Sequence, residues 1–242
     1  MSIQEVTLPS LDSGRELDHV SQSLVLLSES FSRYGNEFAV VSSFGSESVV
    51  LLHLVSQVAK NIPVLFLDTG KLFGETKRYR DTLIERLGLQ KVITITPESE
   101  QVKSEDPHGI LWNENHNRCC FIRKVVPFRE ALIPYKAWAS GRKRYQTLER
   151  SSLPSVQEED GKVKVNPLAG WTKEQIDQYI ETHRLPQHPL VADGFKSIGC
   201  MTCTDLPTND QDDRSGRWAG SEKTECGIHL SLSENIRLMN QN

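Results

Sequence analysis

The sequence predicts an α/β fold, with a parallel sheet flanked by helices and a cysteine-rich segment toward the C-terminus. Two observations carry that prediction. Short apolar runs of strand length alternate with helix-length segments through the first half of the chain, and alternating order of this kind implies parallel strands covered on both faces. Three of the five cysteines, Cys200, Cys203 and Cys226, then crowd into residues 196–229.

The elements follow in order. Leu17, Val20, Leu24, Leu27 and Phe31 recur at three- and four-residue spacing, which predicts an amphipathic helix ending near Gly35. Residues 38–43 (FAVVSS) read as a buried strand, 44–46 as a turn, and 47–60 as a helix with a long apolar face. A second strand at 63–67 closes on Asp68-Thr69-Gly70, a charged helix covers 75–87, and 91–96 (KVITIT) is a third strand. In such a doubly wound sheet, ligands sit at the carboxyl ends of the strands. Residues 97–118 are polar and read mostly as loop, 119–133 have helical apolar spacing, and 137–140 form a strand leading into Gly141-Arg142-Lys143-Arg144. The Ser-, Pro- and acid-rich stretch 151–161 reads as a surface loop, and 162–168 as a short strand. Thr172 and Gln175 fit a capping box, Pro186 and Pro189 end the helix that follows, and 232–242 read as a short helix or a frayed tail.

Composition narrows the function. Lys plus Arg (28) against Asp plus Glu (32) leaves a net charge of −4, so no general attraction to nucleic acid or an anionic membrane is expected. An anion site must therefore be a local cluster. The N-terminus lacks an apolar secretory core and no run is long enough to span a bilayer. An odd cysteine count without an export signal argues for metal or catalytic use of the thiols. These features predict a cytoplasmic protein.

Three groups of residues carry chemistry. Ser42-Ser43-Phe44-Gly45-Ser46-Glu47-Ser48 joins a strand to a helix, and serine hydroxyls, a glycine and free helix-start N–H groups suit a phosphate. An ordinary capped turn would read the same way, and the nucleotide-binding Gly-Lys-Ser/Thr pattern is missing. Cys119-Cys120 with Cys200-x-x-Cys203 make four soft ligands, suited to tetrahedral zinc or to an iron–sulfur cluster. Adjacent helical side chains point about 100° apart, which mildly favours a large cluster over one small ion. Four buried cysteines acting as small hydrophobes would be the plain alternative. Cys226 is left over, with Lys223, His229, Arg214 and Arg217 near it in sequence. Neighbouring positive charge favours the thiolate, the attacking species, although a buried cysteine beside solvated charges would look similar.

Taken together these segments resemble the adenylyl-sulfate (APS) and phosphoadenylyl-sulfate (PAPS) reductase family of sulfate assimilation. The resemblance runs from about Phe38 to His229. It rests on Ser43-Phe44-Gly45, Leu67-Asp68-Thr69-Gly70, Cys119-Cys120 before Arg123-Lys124-Val125, Gly141 with its basic followers, Cys200-x-x-Cys203, Arg214-x-x-Arg217-Trp218 and Glu225-Cys226-Gly227-Ile228-His229. It implies a fold like the adenine nucleotide α-hydrolases, with residues 1–242 a single reductase domain. Residues 1–35 would be an N-terminal helical extension and 196–242 a mobile C-terminal segment carrying the nucleophile. It further implies a [4Fe–4S] cluster on Cys119, Cys120, Cys200 and Cys203, the mark of the branch that mostly uses APS. Catalytic roles would fall to Cys226, His229 and Lys124, and substrate contacts to Ser43, Phe44, Gly45, Ser46, Leu67, Arg144, Arg214 and Arg217. Ser46-Glu47-Ser48 stands where relatives often have Ala-Glu-Asp.

On that resemblance Cys226 attacks the sulfur of APS, and thioredoxin or glutaredoxin then releases sulfite from the S-sulfocysteine. The electron count agrees: reduction takes two electrons, and with four thiols committed Cys226 has no resolving partner in the chain. The segment carrying it is expected to move, with Gly227 and the polar stretch 204–215 as the hinge. Neither nucleic acid nor membrane is expected as a partner, and homo-oligomerisation is left open. Three alternatives remain: a PAPS reductase that keeps the cluster, an RNA-modifying thiolase of the ATP-pyrophosphatase type, and a zinc-stabilised binding module.

Overall fold

The computed structural model describes residues 17–207, 213–218, 223 and 225–239. Residues 1–16 of the expected N-terminal extension, 208–212 of the expected hinge and the end of the tail, 240–242, lie outside the described residues. Six strands form one sheet: β1 (Phe38–Val41), β2 (Val64–Leu67), β3 (Val92–Ile95), β4 (Ala137–Ser140), β5 (Val156–Glu159) and β6 (Lys162–Val165). Their order is β3-β2-β1-β4-β6-β5, parallel throughout except for the β5–β6 hairpin.

Each central strand feeds two cores at once. Phe38 and Val40 of β1 face one apolar cluster, and Ala39 and Val41 the other. The period-two alternation of a strand thus places apolar side chains on both sides, which is why the run shows no polar alternation in sequence. The larger cluster is closed by α1 (His19–Tyr34), α2 (Ser48–Val58), α3 (Gly74–Leu87) and, further along, α8 (Lys173–Thr182). Val49, Val50, Leu52, Leu54 and Val55 of α2 are wholly buried there. At about 1.5–3 kcal/mol for each fully buried aliphatic side chain, this helix anchors the sheet. On the other face Phe128, Leu132 and Tyr135 pack on Ala39, Leu65 and Trp138.

Between β3 and β4 the backbone is more structured than expected. The polar stretch 97–118 holds α4 (Ser99–Glu105), α5 (Leu111–Glu114) and the start of α6 (His116–Cys120). Asp106 holds it in place by accepting from Leu111 N–H and from buried Arg123 at 2.7 Å. After α6 the helix runs through a π-helical turn, Phe121–Val125, into α7 (Val126–Ala131). Val126 N–H donates to Phe121 O, five residues back. Pro127, in the first turn of α7, has no N–H to give the preceding turn, and a π turn is how a helix absorbs such a loss.

The stretch 151–161, expected as a surface loop, instead contains β5, and the expected strand 162–168 ends at Val165. Thr172 does cap α8, with Gln175 reaching back to its N–H, and the tail ends in α9 (Leu232–Met239). The topology sends β2 and β3 to one side of β1 and β4 to the other. A crevice therefore opens between the carboxyl ends of β1 and β4, where the chain changes direction.

Candidate active site

That crevice is a cleft of about 200 Å³, and past Ser46, Glu47, Gln146, Ser197 and Arg214 it continues into a second lobe of about 270 Å³. One wall is the β1–α2 loop. Ser42 Oγ accepts from Phe44 N–H, Ser48 Oγ from Gly45 N–H, and Ser46 Oγ donates to Lys196 O at 2.7 Å. Phe44 is fully buried edge-on against Phe66, and its φ of +51° is a strained value that the packing holds in place. Segment 197–199 crosses over the loop: a Cβ on Gly45 would meet Ile198 O at 3.0 Å.

The second wall carries the charge. Lys124, Arg142, Lys143, Arg150, Arg214 and Arg217 all line the cleft, against two carboxylates, Glu47 and Glu225. Lys143 pairs with Glu47 at 2.7 Å, and Tyr145 OH donates to the other Glu47 oxygen. Burial alone would raise the Glu47 carboxyl, but Lys143, Tyr145 and Lys173 hold it down to about 2. Arg142 Nε is buried without a hydrogen-bond partner, and burial lowers this guanidinium to about 10. Burial lowers Arg214 to about 10 as well.

At the inner end lies Cys226, half-buried, at the start of the Gly227–His229 turn. The turn is wedged in place: a Cβ on Gly227 would come within 2.6 Å of Asn235 Oδ1 and 2.7 Å of Val125, so only glycine fits. His229 stacks on Trp138, with 6.1 Å between ring centres. Burial, with Arg142, Lys164, Arg150 and Arg214 around it, pushes His229 well below the usual histidine range. Its buried Nδ1 has no hydrogen-bond partner.

Behind Cys226, a separate void is lined by Cys119, Cys120, Cys200 and Cys203, together with Thr69, Lys124 and His116. All five thiols are free of disulfides. Thr69 Oγ1 lies 3.2 Å from Cys200 Sγ, and the Lys124 ammonium favours charge on that sulfur. Burial pushes Cys119 up to about 12 and raises Cys203, whereas Lys124, Thr69 and Arg217 overcome burial to hold Cys200 below the usual thiol value. Burial works against charge on Lys124 too, but Cys200, Cys226 and Cys120 raise its pKa above that of an ordinary lysine. The C-x-x-C loop is fixed by Met201 N–H donating to Lys71 O and Arg217 Nε donating to Cys203 O. Arg217 passes directly over Gly199, where a Cβ would lie 2.1 Å from the guanidinium. Among the described residues, no group of three or more His, Cys, Asp or Glu side chains is placed as it stands to hold a metal ion. The four sulfurs share a void, a donor set that fits a thiolate-held cluster.

Of the expected site residues, Ser43, Gly45, Ser46, Lys124, Arg214, Arg217, Cys226 and His229 line the cleft. Phe44 lies beneath it, and Leu67 packs against the Trp138 cluster. Arg144 does not line the cleft; its Nε donates to Leu153 O, and Arg142 and Lys143 of the same basic run line it instead. Arg150 and Gln146 also line it and were not anticipated. Only their position just after that basic run could have pointed to them.

The fold defines a class first. A crystal structure of phosphoadenylyl-sulfate (PAPS) reductase from Candida auris superposes with a TM-score of 0.63 at 23% identity, covering 78% of this chain and 98% of that one. FMN adenylyltransferase of Candida glabrata reaches 0.57 at 17% identity, over 95% and 87%. The chain thus shares the fold of these proteins. Sequence then gives the family. Residues 37–206 match the phosphoadenosine phosphosulfate reductase domain. Adenosine 5'-phosphosulfate reductase of Mesorhizobium japonicum is 46% identical over 82% of this chain and 78% of its own, and that of Chelativorans sp. 43% over 93% of each. The chain belongs to the phosphoadenosine phosphosulfate reductase family and is an oxidoreductase acting on sulfur.

Proposed function

We propose that the protein reduces adenylyl sulfate to sulfite and AMP through a sulfo group carried on Cys226. The observation that carries this reading is the partition of the thiols. Four ring one void, and the fifth lies on the wall of a cation-lined cleft at the switch point of the sheet. The names of the relatives supply the substrate, APS.

The nucleotide phosphate would lie at the β1–α2 loop, with its sulfo group toward Cys226 among Lys124, Arg214 and Arg217. The Cys226 sulfur attacks the sulfur of the sulfo group. The bond from that sulfur to the bridging oxygen breaks, and AMP leaves with the electron pair. Cations fixed beforehand stabilise charge as it develops on the leaving phosphate, at no reorganisation cost. His229, on the cleft wall, would donate a ring N–H to a sulfo oxygen. An external dithiol, thioredoxin or glutaredoxin, then attacks the sulfur of Cys226. Sulfite departs, and the dithiol's second thiol resolves the mixed disulfide, supplying two electrons in all. For that step the part of the C-terminal segment beyond the C-x-x-C loop, which carries Cys226, moves away from the cleft.

Cys119, Cys120, Cys200 and Cys203 would hold a [4Fe–4S] cluster, which when bound supplies a rigid anchor for the C-x-x-C loop and a local field. The chain acts as a single reductase domain in the cytoplasm; among the described residues no helix is long and apolar enough to cross a membrane. The test is sulfite release from APS and from PAPS with thioredoxin, on anaerobically purified protein. Cys226→Ser is expected to abolish release while the protein stays folded and brown. Normal turnover by that variant removes Cys226 from the chemistry.

A further inference from the structure

Glu225 is a carboxylate on the wall of an anion cleft, where it would be expected to repel the substrate. Its contacts explain its presence. Arg150 Nε and Nη2 each donate to it at 2.7 Å, one to each oxygen, with both side chains almost wholly buried. The same carboxylate reaches one residue on and accepts the N–H of Cys226 at 2.8 Å. Arg150 is held in turn by Gln146, whose amide donates to Glu47 at the start of α2. A continuous hydrogen-bonded chain therefore runs from the backbone of Cys226 to the phosphate-side loop.

We propose that Glu225, clamped by Arg150, is a positioning residue that aims the Cys226 thiol into the cleft, an inference that rests on reading Cys226 as the nucleophile. The thiol is held from two sides. Downstream, the Gly227 turn is wedged against Asn235 and Val125, away from the cleft. Upstream, the only side-chain hold on the Cys226 N–H among the described residues is Glu225, and its bidentate partner stands on the cleft wall. A bidentate guanidinium–carboxylate pair fixes direction as well as distance, which a lysine partner could not do. The clamp also neutralises Arg150 and Glu225 together, so Glu225 does not meet the substrate as an uncompensated negative charge.

The test uses Glu225→Gln in the purified full chain, with circular dichroism and iron content as checks on folding. Two readouts follow: the rate at which iodoacetamide alkylates Cys226 without nucleotide, by mass spectrometry of its peptide, and the single-turnover rate of protein sulfo-group formation at saturating APS. Alkylation is expected to rise, and sulfo-group formation to fall, by about tenfold to a hundredfold, the equilibrium change that losing one charge-assisted hydrogen bond produces. AMP affinity should stay within about threefold, a change below one hydrogen bond's worth. Unchanged alkylation and sulfo-transfer overturn the proposal, as does an AMP affinity that falls as far as the rate, since Glu225 would then act on binding. If the variant does not fold, Arg150→Lys, which keeps the charge but not the fork, is judged by the same two readouts. Alkylation reports the clamp whatever the thiol attacks, whereas absence of a sulfo group on Cys226 in the unsubstituted chain overturns the functional reading instead.

Discussion

The sheet and the C-terminal segment of this protein are held by different forces. Strand β1 is buried along its whole length, and α2 covers it with aliphatic side chains that have no polar partner to lose. Among the described residues, the segment from Lys196 to α9 buries a small apolar cluster, Cys200, Cys203 and Trp218, with Ile198 buried and Ile228 packed on the Trp138 cluster, far less than the sheet buries. Its fastenings are polar: Glu225 to Arg150, Asn235 to Gly227, Leu230 and Ser231, and the cations of Arg214, Arg217 and Lys223 over the Trp218 ring. Polar clips open at lower cost than a packed core and close again with the same geometry. Under the proposed mechanism, a fixed scaffold and an arm that visits substrate and reductant in turn would call for these two kinds of joint.

The contrast can be broken or sharpened by measurement. Replacing Cys203 with Ser is expected to have the largest effect, loss of iron and of activity together; full iron content would remove Cys203 from the ligand set. Leu52→Ala, wholly buried in α2, should cost about 2–5 kcal/mol in chemical denaturation, a cavity in a core that cannot collapse. A loss under 1 kcal/mol, roughly the scale of an exposed site, would mean the core is softer than its burial indicates.

Acid should weaken the scaffold through His188. This buried ring accepts from Leu190 N–H and contacts Thr76, and burial lowers it to about 4 from 6.5. Unfolded chains take up a proton from 6.5 downward while the folded ring resists until about 4, so stability present above 6.5 is lost as pH falls through that window. At ~1.4 kcal/mol per pH unit the loss approaches about 3 kcal/mol. His188→Gln should flatten the dependence of denaturation midpoint on pH between those limits; an unchanged slope would assign it to other groups.

Asn235→Ala should have the smallest global effect. Its amide donates to three carbonyls around the Gly227 turn, and losing it should speed hydrogen exchange across 226–239 by the equivalent of about 1–3 kcal/mol. The global melting temperature should hardly move. If it falls as far as in Leu52→Ala, arm and scaffold unfold as one unit and the contrast fails.

The two regions also differed in how far they could be read from sequence. β1, β2, β3 and β4 were legible because buried parallel strands leave continuous apolar runs bounded by turns. β5 was not: Val-Gln-Glu-Glu lies at the sheet edge, where Gln157 and Glu159 meet Lys164 and Lys162 across the hairpin, and charge pairing leaves no apolar signature. Helices α4 and α5 were hidden likewise, since their order depends on Asp106 meeting Arg123 through a distant part of the chain. In the site, paired cysteine motifs announced a common void. Which member of Arg142-Lys143-Arg144 would face the cleft depends on the backbone path after β4, which local composition does not encode. Glu225 was visible only as a letter beside Cys226, because its partner lies 75 positions away.

The extra residue in the turn Phe121–Val125 has a consequence for how much this helix can vary in length. Removing one residue ahead of Lys124, at 121–123, while the wide turn kept its shape would swing everything downstream by about 100° around the axis. Lys124 would then turn away from the sulfurs while Cys119 and Cys120 kept their place, and α7 would present a different side to the sheet. Insertions and deletions should therefore be far less tolerated here than single substitutions, although the turn itself holds neither a thiol nor a carboxylate.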